Sequence, residues 1–209
     1  MAKLVNKSCQ DFAFELAAKQ SVPGGGGAAA FVGALGAALC SMSGEFTAGK
    51  QKYADVEEDM QRMLGDAELI RFRLLELIDE DAEAFEPLSQ AYGIPKEDPT
   101  RAETLERCTK VALAAPLEMV REVCKAIDLL EEMAAKCSPI IVSDSGCGAA
   151  LCRAALEAAA MNVYINTKSL QDRMFAERIE KEVDDLMAAY VPKAEAIVSS
   201  VTASIRGTN

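Results

Sequence analysis

Histidine is missing from this chain, and so is tryptophan. Without an imidazole there is no Ser-His-Asp or Cys-His nucleophile relay. A transition-metal site also loses its commonest ligand, and the seven cysteines do not replace it, because no two form a Cys-x-x-Cys pair. Proton transfer near neutral pH then falls to a carboxylate with a raised pKa, a lysine with a lowered one, a thiol or the chain terminus. Aromatic residues are scarce at 5%, and Ala and Leu outweigh Val and Ile, which favours helix over sheet. Positive charge is in deficit too: 22 Lys and Arg stand against 33 Asp and Glu, for a net charge of −11. Such a chain repels phosphate backbones and anionic lipid, so neither nucleic acid nor membrane is an expected partner. The cysteine count is odd, and Met1 leads through Lys3 and Leu4 into polar sequence rather than an apolar targeting segment. The thiols therefore read as reduced, buried groups of a cytoplasmic protein.

What the chain does contain is helical pattern. No internal repeat or low-complexity linker interrupts residues 1–209, which read as a single domain. Ser8 and Asp11 resemble a helix start continued by Phe12, Leu16 and Lys19, and Ser21-Val22-Pro23 stops it. Gly24, Gly25, Gly26 and Gly27 follow as a Gly-rich loop. An apolar run of small residues then extends from Ala28 to Met42. It is too short and Ala-rich for a comfortable membrane span, and a helix apolar on all sides belongs at the centre of a bundle. Gly33, Gly36 and Ala37 suit close backbone approach.

A turn at Gly49-Lys50-Gln51-Lys52-Tyr53 precedes a long helix from about Asp55 to Tyr92, ended by Gly93 and Pro95. Another helix starts at Asp98-Pro99-Thr100 and carries Leu105, Cys108, Ala112, Ala115, Met119 and Val123, with a kink expected at Pro116. Ser138-Pro139 breaks the chain, Ile140-Ile141-Val142 reads as a short extended approach, and Ser143-Asp144 can cap a helix through Ala149, Cys152, Leu156 and Ala159. The last helix carries a stripe from Met174 through Ile179, Val183, Leu186, Tyr190, Ala194, Ile197 and Val201 to Ile205. The fold class is all-α, a bundle of five to six helices with a long central helix.

Three places can carry chemistry. Pro23 and Gly24 to Gly27 open a helix, where backbone amides can face an anionic ligand; a flexible turn between packed helices explains them equally. The spacing is neither a phosphate loop nor a dinucleotide fingerprint. On the long helix, Met60, Met63, Ala67, Ile70, Leu74, Leu77, Ile78, Phe85 and Leu88 fall on one stripe, and the one residue on it that is not apolar is Asp81. A carboxylate aimed at the core has its pKa raised toward the general acid/base range, unless Lys or Arg pairs with it or water fills the gap. Asp79 and Glu83 point to the solvent side. The stretch from Val142 to Gly148 is either a capped helix start or a second loop of amides and hydroxyls. Lys50, Lys52, Lys136, Arg153 and Lys168 are the scarce cations near these loops.

The order Pro-Gly-Gly-Gly, Gly-Ala-Leu-Gly-Ala-Ala-Leu, Gly-Lys-x-Lys-Tyr and Ile-Asp-x-Asp-Ala-Glu-Ala-Phe resembles the cyclodeaminase domain of formiminotransferase-cyclodeaminase. Pro116-Leu117, Ser143-Asp144 and the run from Asn162 to Asn166 agree, so the similarity covers essentially the whole chain. The resemblance implies an all-helical fold, a homodimer or larger assembly, no metal, and no cofactor beyond the tetrahydrofolate substrate. It implies either 5-formiminotetrahydrofolate cyclodeaminase, which leads, or methenyltetrahydrofolate cyclohydrolase. A non-catalytic helical folate-binding homologue is the reading from a different class. The second Asp of the family's Asp-x-Asp-Ala-Glu-Ala-Phe stretch is its catalytic carboxylate, and here that position is Asp81. Pro23, Gly24 to Gly27, Lys50, Lys52, Ser143, Asp144 and Asn166 are the implied substrate-binding residues. The chain departs from the family pattern at Gly27, where Ser is usual, at Ser138-Pro139, where Gly-Asn is usual, and at Thr167, where Leu is common.

Overall fold

The computed structural model describes residues 3–208. Among them are seven α-helices: α1 (Cys9–Leu16), α2 (Gly25–Glu45), α3 (Glu57–Ala91), α4 (Arg101–Ala112), α5 (Ala114–Lys136), α6 (Val142–Thr167) and α7 (Arg173–Arg206). Two short 3-10 turns, Leu4–Asn6 and Gln51–Val56, complete the element list. The single helix expected from Asp98 onward is broken at Leu113, so α4 and α5 are near-continuous partners; joined, they bring the bundle to six helices. Pro116 supplies the cause. Its ring lacks an N–H and collides with the carbonyl four residues back, that of Ala112, which is where α4 ends.

The middle of the bundle belongs to α5, which packs against α2, α3, α6 and α7. One large core joins these five helices, with Met60, Met63, Leu74, Met119, Ile127, Leu130 and Leu156 fully enclosed. A satellite cluster of Leu88, Ala91, Cys108 and Ala112 ties the end of α3 to α4. The small residues of α2 do what their size permits. A Cβ on Gly36 would lie 2.4 Å from the Cys152 sulfur, and one on Gly33 would lie 2.9 Å from Val123 Cγ2. Only glycine allows α6 and α5 that close.

Helices α2 and α6 run antiparallel. At one end Gly25 meets Asn162, and at the other Ser145 Oγ donates to Ser43 Oγ at 2.9 Å. Thr47 Oγ1 beside it accepts the Ser138 amide at 2.9 Å, so the buried hydroxyls at this end are all satisfied.

Several local readings need correction. The glycine run is not a loop: only Gly24 has extended backbone, as the N-cap, and Gly25, Gly26 and Gly27 form the first turn of α2. Ile140 and Ile141 lie in a turn, closed by the Ile141 N–H to Ser138 O bond, and Val142 already opens α6; no strand is present among the described residues to pair with an extended segment here. Ser143 and Asp144 sit inside the first turn of α6, whose N-cap is Ile141, and make no capping bond. Lys19 lies beyond the end of α1. Met174 and Ile205, the two ends of the predicted α7 stripe, are exposed, Met174 because the fully buried Ala176 takes the inward face of the first turn, and Ile205 because it stands in the last turn of α7. The helix expected at the centre, α2, is enclosed on three sides by α3, α5 and α6 and open on the fourth.

Candidate active site

Gly26 and Asp81 define the site. A Cβ on Gly26 would stand 2.5 Å from Asp81 Oδ2 and 2.6 Å from Oδ1, so the carboxylate rests where a side chain would otherwise be. The stripe of α3 turns Asp81 inward, and the missing side chain of Gly26 lets it reach the start of α2. There the carboxylate faces the Gly27 amide, which favours its ionised form. The first turn of a helix has N–H groups with no carbonyl partner inside the helix, and Gly24 has no side chain to cap them. Asp81 thus stands against the first turn of α2, reaching it from another helix.

Asp81 has no Lys or Arg beside it. Burial pushes its carboxyl up to about 6, against the opposing pull of the Gly27 amide. The alternative of a buried ion pair is therefore not what the structure contains. Asp79 differs from its expected solvent position: it is half-buried, and its Oδ1 accepts the Leu4 amide at 2.6 Å. Glu83 is exposed as expected.

Asp81 opens into a cavity of about 340 Å³. Gly24, Gly25 and Gly26 form one wall, Asn162, Ile165 and Asn166 of α6 another, and Phe85, Tyr92, Ala112 and Pro116 the apolar remainder. Two other clefts are larger, about 490 Å³ between α3 and α5 and about 430 Å³ beside α7. The charges in the first already have partners: Lys125 with Glu122, Arg73 with Glu80, Lys193 with Asp128. The second is lined by Ala, Ser and aliphatic residues, and its one charged group, Glu131, pairs with Lys193. Of these three, the Asp81 cavity alone combines, among the described residues, an unpaired carboxylate, helix-start amides, two carboxamides and an apolar wall.

The predicted site residues fall into two groups. Pro23, Gly24 to Gly27, Asp81 and Asn166 come together, with Pro23 packed behind Gly27. Lys50, Lys52, Ser143 and Asp144 do not join them. They lie at the far end of α2 and α6, roughly 30 Å away at 1.5 Å per residue along the 21 residues of α2. The sequence reading also omitted Phe85, Tyr92, Pro116 and Asn162 as lining residues. Asn162 carried a usable signal: it stands four residues before Asn166, so the two carboxamides share a helix face, and Asn166 Nδ2 donates to Asn162 O at 2.8 Å.

A desolvated carboxylate in a ligand-sized cavity of an all-helical bundle defines a protein equipped for general acid–base chemistry on a small molecule. The chain belongs to the formiminotransferase-cyclodeaminase family, whose model matches residues 8–185. It is 40% identical over 96% of its length to methenyltetrahydrofolate cyclohydrolase of Methylorubrum extorquens, covering 98% of that protein. It is 31% identical to formimidoyltransferase-cyclodeaminase of Mus musculus over 96% of its length, and spans 38% of that longer protein. The crystal structure of formiminotetrahydrofolate cyclodeaminase from Thermotoga maritima superimposes with a TM-score of 0.84 at 30% identity, covering 97% of each chain. These relatives are enzymes of folate one-carbon chemistry, and so is the family to which this chain belongs.

Proposed function

We propose that this chain is a methenyltetrahydrofolate cyclohydrolase, with Asp81 as its general base. The observation that carries the reading is the Asp81 carboxyl, held near 6 by burial in the cavity. At pH 7 such a group is about nine-tenths ionised, which suits taking a proton and suits giving one much less. The 40% identity to a cyclohydrolase of the same length supports the same choice.

The steps follow from the geometry. The methenyl carbon bridges two nitrogens and carries a delocalised positive charge. Water attacks that carbon while Asp81 takes its proton, giving a tetrahedral carbon. The protonated Asp81 then returns the proton to one nitrogen as its bond to carbon breaks. The product is the 10-formyl compound, with one proton released to solvent overall. Gly25 and Gly26 let the heterocycle approach the α2 backbone, and the Asn162 and Asn166 carboxamides orient its polar edge. Neither this reaction nor the alternative moves an electron, so no cofactor beyond the tetrahydrofolate substrate is required, and a cytoplasmic setting fits the free thiols.

Cyclodeamination of 5-formiminotetrahydrofolate is the second reading, favoured by the whole-chain likeness to the Thermotoga maritima protein. It uses the same carboxyl as an acid toward departing ammonia. Purified protein, followed by methenyl absorbance with each substrate in turn, separates the two. Loss of methenyl absorbance supports hydrolysis. Its appearance from the formimino compound alone replaces that reading with deamination. No change with either substrate leaves a non-catalytic homologue.

A further inference from the structure

The α6 wall of the Asp81 cavity is made to accept hydrogen bonds. Asn162 and Asn166 stand four residues apart, so their carboxamides leave one face of α6, a turn or about 6 Å apart along its axis. Each is pinned by its own helix. Asn162 Nδ2 donates to Ala158 O at 2.8 Å, and Asn166 Nδ2 donates to Asn162 O at 2.8 Å. A carbonyl oxygen takes only a donor, so the nitrogen of each carboxamide must face the helix backbone, and the oxygen is its free end. Neither Oδ1 receives a hydrogen bond from another described residue, and neither is sealed from solvent. Gly25 keeps Asn162 open from the α2 side, since a Cβ there would lie 3.4 Å from Asn162 Oδ1.

With the Asp81 carboxylate these oxygens make a row of three acceptors. Asp81 faces Gly26, Asn162 faces Gly25, and Asn166 lies a turn further along α6. Because α2 and α6 run antiparallel, that turn leads away from Gly26 and its carboxylate. The lining holds no Lys or Arg, and Phe85, Pro116 and Ile165 supply apolar surface. The group that suits this wall is a ring with N–H donors along one edge, not an anion.

Resting on the folate reading above, we propose that Asn162 and Asn166 determine specificity for the reduced pterin ring, Asn162 Oδ1 accepting from ring N8–H and Asn166 Oδ1 from the 2-amino group. The order follows from the chemistry. With the methenyl carbon at Asp81, N8–H is the nearer donor on its edge of the ring and the 2-amino group the farther one. Ring N1 lies between them, and their separation is close to one helical turn. The opposite edge would set the C4 carbonyl against Asn162 Oδ1, two acceptors with no hydrogen between them. A fully oxidised pteridine has no hydrogen on N8, and a ring without the 2-amino group lacks the second donor. Each leaves a carboxamide oxygen against the ring with nothing to accept.

The test is calorimetric binding to the full chain. The probes are 5-formyltetrahydrofolate and its analogue with hydrogen in place of the 2-amino group. The wild-type chain is expected to bind the analogue at least about tenfold more weakly, the size of one lost hydrogen bond with an oxygen left unpaired. Asn166→Leu keeps the volume and removes the acceptor, so it is expected to bind both probes alike, each at the weaker level. Asn162→Leu is expected to weaken both probes by about tenfold while keeping the preference for the amino compound. Circular dichroism checks the helix content of each variant, and Ala at the same position gives the same comparison should Leu unfold the chain. A wild-type chain that turns over methenyltetrahydrofolate but binds the two probes equally overturns this proposal and leaves the folate reading standing. Loss of the preference in Asn162→Leu rather than in Asn166→Leu reverses the ring and overturns it too. A wild-type chain that neither binds nor turns over a folate ends both.

Discussion

Replacing Asp81 with Asn separates activity from stability, because the two should move in opposite directions. Asn keeps the shape and the acceptor for the Gly27 amide but transfers no proton, so turnover should fall by about two to four orders of magnitude. The stability effect follows from linkage. The folded carboxyl titrates near 6 against an ordinary value of 3.8, so the folded state holds its proton more tightly than the unfolded chain. A raised carboxyl contributes its stability in acid and loses it as pH rises from about 4 through about 6. At 1.36 kcal/mol per unit, a shift of that size is worth on the order of 3 kcal/mol by pH 7.5. Asp81→Asn should therefore be more stable than wild type at pH 7.5, by up to about 3 kcal/mol less the weaker interaction of a neutral side chain with the Gly27 amide, with the gap closing near pH 4. Urea unfolding at pH 4 and at pH 7.5, beside turnover of methenyltetrahydrofolate, reads both effects. Glu83→Gln, on the exposed side of α3, should move neither. Asp79→Asn should cost about 1 kcal/mol through its bond to the Leu4 amide and spare turnover. An Asp81→Asn protein with near-full turnover, or one less stable than wild type at pH 7.5, would refute the burial and the catalytic assignment together.

Other expectations are narrower. Gly26→Ala should cut turnover at least tenfold, because its Cβ occupies the Asp81 carboxylate position, whereas Gly27→Ala, whose Cβ meets nothing nearer than 3.7 Å, should stay active and gain about 0.5–1 kcal/mol in urea unfolding. The pH profile of kcat/KM for hydrolysis should rise to a plateau through an inflection near 6, as Asp81 ionises; a flat profile between pH 5 and 8 counts against a carboxylate base. Turnover should withstand chelators, since the chain has no His and no paired cysteine spacing; loss on chelation with recovery on adding zinc would overturn this. Leu74→Ala, at a fully enclosed position between α3 and the core, should cost about 2–5 kcal/mol by thermal or urea unfolding.

Reading a helix face needs only local information. At 100° per residue, side chains separated by three or four positions must share a face whatever the helix packs against. That is why the α3 stripe, the inward direction of Asp81 and the all-helical class were legible in the residues, and why the missing histidines already pointed to a carboxylate. Helix ends were less legible, because they depend on which carbonyls and amides find partners. The glycine run opens α2 with Asp81 of α3 set against its first turn, and α4 ended at Ala112 since Pro116 removes a hydrogen bond one turn later. Contacts between distant segments were not legible at all. Nothing in the glycine run names Asp81 as the group filling the space of a Gly26 side chain, and nothing in the order of motifs tells that Lys50 and Ser143 fold to the opposite end of α2 from Asp81. Those relations are set by the antiparallel packing of α2 on α6, which small residues permit and only the assembled bundle fixes.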